Sequence, residues 1–279
     1  NRAKNRFELT MYDYILRMCT QYNVGGSSGK VVKNPATSDD FGSAVYEKED
    51  DNKPYDKISV YRSLVMSMQY GTLVMPSVKY HVILLATRQV CPKCGDYKKA
   101  QRVLEYMKQQ AQKPVYIYGH GDDPDIYVYA DAAFDMYPDS HSQSGLSVFI
   151  GTAGGAIHNR SNKQKCITDS STGAEIVSAV DGLNIGAYYR DILAVFGYKC
   201  RVIHYEDNMS CIALVETGCV AHDKKERHMV RKINIMHEYF EKAENNAMMM
   251  WCDTAWMIAD GLTKDLHGQA FEISENILM

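Results

Sequence analysis

The sequence has no apolar run approaching the ~18 residues that a membrane-spanning helix requires. Its opening residues, NRAKNRFELT, lack the apolar centre of a secretory signal. It has no basic excess either: the formal charge is −3, so no overall positive field announces a nucleic-acid binder, although a basic groove can sit on an acidic body. A disulfide framework is also missing, because the eight cysteines lie scattered at 19, 91, 94, 166, 200, 211, 219 and 252. They read as reduced thiols, which points to the cytoplasm or the nucleus rather than to secretion. Cys91–Cys94 in CPKCG resembles half of a zinc ribbon, but there is no second CxxC. Cys219 and His222 alone offer a similar spacing, far downstream. Structural zinc sites are nearly always four-coordinate, so CPKC is read as a Pro-bearing turn between helices. What remains is a globular composition, 46% hydrophobic and 23% charged, at a length (279 residues) suited to one large or two ordinary domains. The chain begins at Asn1 rather than Met, and a fragment of a longer product is expected.

The first half reads as helical. Residues 8–24 form an amphipathic segment ended by GGSSGK, and 25–56 lack hydrophobic periodicity and read as a linker. YRSLVMSMQYGTLV, KYHVILLATRQV and DYKKAQRVLEYMKQQ each place apolar residues at three- and four-residue steps, which predicts three helices. After the polar YGHGDDPD (118–125) the pattern changes. IYVY (126–129), GLSVFIG (145–151) and GAIHN (155–159) predict an antiparallel meander. A helix follows over about 172–196, then a strand at 200–207, a helix stopped by Gly218, a helix over 225–243, a strand at 247–254 and a last helix in AWMIADGLTKDL. The order β-β-β-α-β-α-α-β-α implies an α/β unit with a mixed sheet and flanking helices.

Two strands of that order end on acids: Asp131 in VYADAAFD and Asp207 in HYED. If the strands are adjacent and parallel, their carboxylates sit side by side. Glu175 lies early in the long helix and Asp260 in the last one. Four acids at one sheet edge repel one another unless a cation is present. All-oxygen donors favour Mg²⁺ or Mn²⁺, and two such ions ~3.5–4 Å apart are a standard apparatus for phosphodiester displacement. Each acid also has a local explanation. Glu175 fits a capping box with Thr172, Asp207 a helix cap, Asp131 an Asx-turn and Asp260 a solvated helix face.

Motifs favour the collective reading. YADAAFD, DSHSQSG, the SNKQKCITDSSTGAEIVSAVDGL segment, YEDNMSCIALV, ERHMVRKINIMHEYF and MIADGLTKDLHGQAF occur in this order across 129–271. They resemble the ribonuclease H domain that ends copia-type retrotransposon Pol polyproteins. FELTMYDYILRMCTQYNV, YRSLVMSMQYGTLVMPSVKYHVILLATR and QRVLEYMK are similar to the end of the palm and to the thumb and connection of the preceding reverse transcriptase. The resemblance implies a ribonuclease H-like fold over 124–279, preceded by a mainly helical reverse transcriptase remnant over 1–123. Asp131, Glu175, Asp207 and Asp260 fall on the metal-binding and catalytic carboxylates, with two Mg²⁺ or Mn²⁺ ions as cofactor.

The implied activity is hydrolysis of the RNA strand of an RNA–DNA hybrid. Lys163, Lys165, Asn208 and His228 are the expected nucleic-acid contacts, with Arg160, Lys224, Lys225 and Arg227 as further phosphate contacts. The implied partners are the hybrid and the upstream palm and fingers, in a cytoplasmic particle or the nucleus, and no membrane. A Y-x-D-D polymerase motif is absent, so polymerisation is not expected of this chain. Gly173, Val230, Asp265, Ala255 and Trp256 depart from the family pattern without removing a proposed ligand. The Glu comes second in the acidic order, unlike integrase and transposase nucleases, where it comes late. The alternative is a catalytically weak or inactive hybrid-binding connection module.

Overall fold

The apolar steps of the first half fold as helices in a computed structural model that describes residues 5–24, 31–36, 41–43, 45–118, 124–218 and 227–279. Cys219, His222, Lys224 and Lys225 lie outside these residues. Helix α1 (Tyr12–Gln21) buries Ile15, Met18 and Cys19. It starts later than the periodicity predicts, because Arg6–Leu9 is extended and the Thr10 hydroxyl accepts from the Tyr12 amide, making a turn first. Helices α2 (Ile58–Gly71), α3 (Lys79–Ala86) and α4 (Cys94–Gln110) follow. Each buries the residues that carried its period, such as Val103, Leu104 and Met107 in α4.

The CPKC stretch is an extended lead into α4. Lys93 bridges Pro54, the Cys94 amide donates to the Lys53 carbonyl at 2.9 Å, and Cys91 is an exposed free thiol.

The chain divides into two compact units, Glu8–Tyr116 with Lys264–Met279, and Ile117–Thr263 with the first seven residues. The helical unit thus includes the C-terminal segment. There, His81 Nε2 lies 2.9 Å from Asp265 Oδ1, and Asn34 donates to the Leu266 carbonyl at 2.9 Å.

The other unit is built on a five-stranded mixed sheet. Its strands are β1 (Ile126–Ala133), β2 (His141–Ile150), β3 (His158–Ile167), β4 (Val202–Glu206) and β5 (Ala247–Trp251), in the order β3-β2-β1-β4-β5. β1–β2 and β2–β3 pair antiparallel, whereas β1–β4 and β4–β5 are parallel, joined through helical crossovers. Helix α5 (Ser171–Val195) covers one face over Ile126, Val128, Ala130 and Val202. It can approach closely because Gly186 carries no Cβ, which would lie 2.8 Å from Val128 and 2.9 Å from Val202. Helices α6 (Met209–Thr217) and α7 (Arg227–Glu241) close a second cluster with α5 around Ile176, Leu183, Val215 and Met236. On the other face Tyr129 stacks on Tyr205, with ring centroids 4.8 Å apart.

Two expectations need correction. The third strand lies at 158–167 rather than 155–159, and its inward residues are polar: Ser161 and Gln164 are buried because they are hydrogen-bonded, so an apolar period does not mark them. The segment AWMIADGLTKDL is not an α-helix. It contains two 3₁₀ turns, Thr254–Trp256 and Ile258–Leu262, and the last helix, α8, is Gly268–Leu278. Short polar side chains compete with helical bonding here. The Asp253 carboxylate accepts from the Ala255 amide, and the hydroxyls of Thr254 and Thr263 turn to carboxylates elsewhere.

Candidate active site

Asp131 is the sixth residue of β1 and is buried. Its carbonyl accepts from the Ser178 hydroxyl of α5 at 2.8 Å, and its carboxylate Oδ2 accepts from the buried Thr263 hydroxyl. The last registered pair of β1 and β4 is Tyr129 with Tyr205. Two residues further along each chain stand Asp131 and Asp207, so parallel pairing brings the two acids to one sheet edge. Asp207 Oδ2 accepts from the Thr254 hydroxyl at 2.8 Å.

Glu175 comes from α5, and its local explanation fails. The N-cap is Ser170, whose hydroxyl accepts from the Gly173 amide at 3.1 Å, so Gly173 occupies the third helical position and no capping box reaches Glu175. Asp207 is not a helix cap either, since Asn208 caps α6 by accepting from the Cys211 amide at 3.0 Å. Glu175 is buried, and its carboxylate joins the other two: one oxygen from each of Asp131, Glu175 and Asp207 lies within 4.8 Å of the others. Asp260 sits half-buried in the Ile258–Leu262 turn and is not a member of that set.

One residue was not singled out from the sequence. Glu206 ends β4 fully buried, next to Asp207. Burial pushes its carboxyl well above the usual range, and the charges of Asp207 and Asp131 push the same way, against the Asn208 amide that donates to it at 3.2 Å. Its Oε2 is buried without a hydrogen-bond partner among the described residues. The signal was the pair of adjacent acids in YED, of which strand alternation sends one to each face. His204, on the same face, is fully buried, and desolvation pushes it down to about 4.

The expected nucleic-acid contacts are dispersed. Lys163 on β3 pairs with Asp139 and lies 4.8 Å above the Tyr137 ring, while Lys165 is exposed. Arg160 pairs with Asp181 at 3.3 Å. His228 is exposed on α7, at the rim of a cavity of about 810 Å³ between the start of α5 and helices α6 and α7. Asn208 already spends its side chain as the α6 cap. No described helix is long and apolar enough to cross a membrane.

No family model matches the sequence. Two curated relatives do. The retrovirus-related Pol polyprotein from transposon RE2 of Arabidopsis thaliana is 25% identical over 220 residues, and that from transposon RE1 is 24% identical over the same length. Both alignments cover 76% of this chain, which spans 14% of the length of either relative. These are retrovirus-related Pol polyproteins, the class that the ordered motifs resemble. Among solved structures, the LC11 ribonuclease H1 isolated from compost matches with a TM-score of 0.39 and 16% identity, over 50% of this chain and 91% of that one. The foamy viral protease-reverse transcriptase in complex with double-stranded DNA matches with a TM-score of 0.40 and 10% identity, over 78% and 42% respectively.

Proposed function

We propose that the Ile117–Thr263 unit is a metal-dependent ribonuclease H that hydrolyses the RNA strand of RNA–DNA hybrids during retrotransposon reverse transcription. The observation that carries this reading is the convergence of Asp131, Glu175 and Asp207 from three separate elements to within 4.8 Å. Three carboxylates drawn that close, two of them buried, repel one another strongly.

The donor set is all oxygen, so it fits hard divalent cations, Mg²⁺ or Mn²⁺, and two of them if Asp260 turns in to join. Such cations neutralise charge developing on a phosphodiester and make water more acidic. The chain's own groups do the rest. Asp131, fixed in β1, is held through Oδ2 by Thr263 and has a carboxylate oxygen within 4.8 Å of those of Glu175 and Asp207. Lys163, Lys165 and Arg160 lie on β3 and would meet phosphates, contacts that orient a duplex without reading its sequence. His228 and Asn208 would act beside the same strand.

In this reading the ribonuclease H domain expected over 124–279 is carried by the Ile117–Thr263 unit, its last residues, Lys264–Met279, grouping with the helical unit, which is the end of a reverse transcriptase. The palm and fingers upstream would be its partners, in a cytoplasmic particle or the nucleus. The test is incubation of the chain with an end-labelled RNA–DNA hybrid and Mg²⁺ or Mn²⁺, beside Asp131→Asn. Cleavage of the RNA strand by the parent chain alone supports the assignment. Hybrid binding without cleavage by either protein would replace it with a non-catalytic connection module, and cleavage of duplex DNA would sink the strand preference.

A further inference from the structure

We propose that Thr263 and Thr254 are positioning residues that hold Asp131 and Asp207 in the orientation that accepts a divalent cation, and that they set the place of Asp260 between them. This rests on the metal-centre reading above and goes beyond it by assigning the groups that prepare the centre.

Thr263 is fully buried, and its hydroxyl has a single proton with two acceptors in reach: Asp131 Oδ2, and the Asp260 carbonyl at 3.2 Å. A charged acceptor makes the stronger bond, and the Asp260 carbonyl already receives the Thr263 amide at 3.1 Å. The proton therefore goes to Asp131. That bond fixes the torsion of a carboxylate that has one oxygen within 4.8 Å of the Glu175 and Asp207 carboxylates. Thr254 does the same for Asp207, at 2.8 Å, from an exposed position. Asp207 lies just past the end of β4, where no ladder bond orients it, so the hydroxyl supplies the constraint that the sheet does not. Without these donors, mutual repulsion would rotate the carboxylates apart.

The two threonines also bracket Asp260 along the chain. The segment that carries it is tied to Asp207 at one end and to Asp131 at the other. Hydrogen bonds from outer groups to metal-binding side chains typically change affinity or activity ~10–100-fold when removed.

The test compares the full chain with Thr263→Val, Thr263→Ser, Thr254→Val and Thr254→Ser. Mn²⁺ uptake is followed by electron paramagnetic resonance, hybrid cleavage is assayed in parallel, and thermal melting is recorded in EDTA. Valine keeps the volume of threonine and deletes the hydroxyl. Each valine variant is expected to weaken Mn²⁺ binding ~10–100-fold and to lower kcat with KM for the hybrid little changed, while each serine variant restores both to within a few-fold of the parent. Thr254 is exposed, so Thr254→Val keeps the comparison decisive if Thr263→Val does not fold. Valine variants that bind Mn²⁺ like the parent overturn the positioning role and leave the metal centre standing. A parent chain that neither binds Mn²⁺ nor cleaves the hybrid removes the metal centre and this role together.

Discussion

Gly145 stands directly opposite Asp131 in the β1–β2 ladder, and the turn that carries Asp260 and Thr263 rests on it. A Cβ at this position would lie 2.7 Å from the Ala259 carbonyl oxygen and 2.7 Å from Thr263 Cγ2. A backbone oxygen cannot swing aside as a long side chain can, so the turn itself must move. Gly145→Ala is therefore expected to cost ~1–3 kcal/mol, the usual range for overpacking, and to reduce hybrid cleavage more than it lowers the melting temperature. Circular dichroism and cleavage measured on the same preparation check this. Unchanged activity with an unchanged melt would mean that the turn does not bear on Gly145 in solution.

The sheet and its acids were legible for different reasons. β1 and β4 are short β-branched and aromatic runs, so their existence and their terminal acids could be read, and the parallel neighbours did bring Asp131 beside Asp207. Glu175 could be placed on the long helix, but not relieved of a capping role, because Thr172 is an acceptable cap on paper and only the folded backbone puts the cap at Ser170. β3 was displaced because its buried positions include Ser161 and Gln164, satisfied by partners on other elements. Thr254 and Thr263 were illegible for the same reason: each hydroxyl finds an acceptor on another element. A threonine offers no period, and its partner exists only once the chain has folded.

Removing one acid from the cluster should stabilise the metal-free protein. With three carboxylates within 4.8 Å, Asp131→Asn deletes one charge from two close repulsions, and Asn can still accept from Thr263. At an effective dielectric of about 20 the relief of two such repulsions exceeds what the hydrogen bond loses with the charge, so the net is a gain. Thermal melts in EDTA should therefore place the variant above the parent. A lower melt for the variant would show that the hydrogen bond to Thr263 outweighs the repulsion.

Cations should reverse that order. A ligand at about 100 times its dissociation constant stabilises the form that binds it by ~2.7 kcal/mol. Mg²⁺ or Mn²⁺ is expected to raise the melt of the parent chain well above its EDTA value and to leave Asp131→Asn nearly where it was. Equal shifts in the two proteins would locate the bound ions away from the Asp131, Glu175 and Asp207 cluster.

The buried pair on β4 predicts opposing pH effects. His204 titrates in the folded chain at about 4, below its ordinary 6.5, so the unfolded chain takes up the proton first as pH falls. Its contribution is full above about 6.5 and is lost toward 4, roughly 3 kcal/mol across the window. Glu206 is shifted up from 4.5, so its contribution is full below that value and is lost as pH rises. The two oppose each other as pH rises above about 4.5, and the Glu206 loss ends only once its raised folded value is passed. Glu206→Gln should remove this alkaline decline, so its advantage over the parent in EDTA is expected to be larger at pH 8 than at pH 5. Denaturant titrations at the two values decide it, and an advantage independent of pH would mean that Glu206 does not titrate late.

In the helical unit, Glu275 of α8 is the acceptor on which a buried tyrosine depends. Its Oε1 accepts from the Tyr106 hydroxyl of α4 and, at 3.4 Å, from Ser77, while Oε2 receives Lys113 at 3.1 Å. Tyr106 is almost fully buried, whereas Lys113 is partly exposed and regains water if the pair is broken. Glu275→Ala therefore leaves the Tyr106 hydroxyl without its acceptor and is expected to cost ~2–4 kcal/mol. Glu275→Gln retains a carbonyl oxygen for that hydroxyl and loses only the charge, so its cost should be about 1 kcal/mol. Denaturant unfolding followed by circular dichroism separates the two. Equal losses would show that the charge shared with Lys113, and not the acceptor offered to Tyr106, is what anchors α8 to α4.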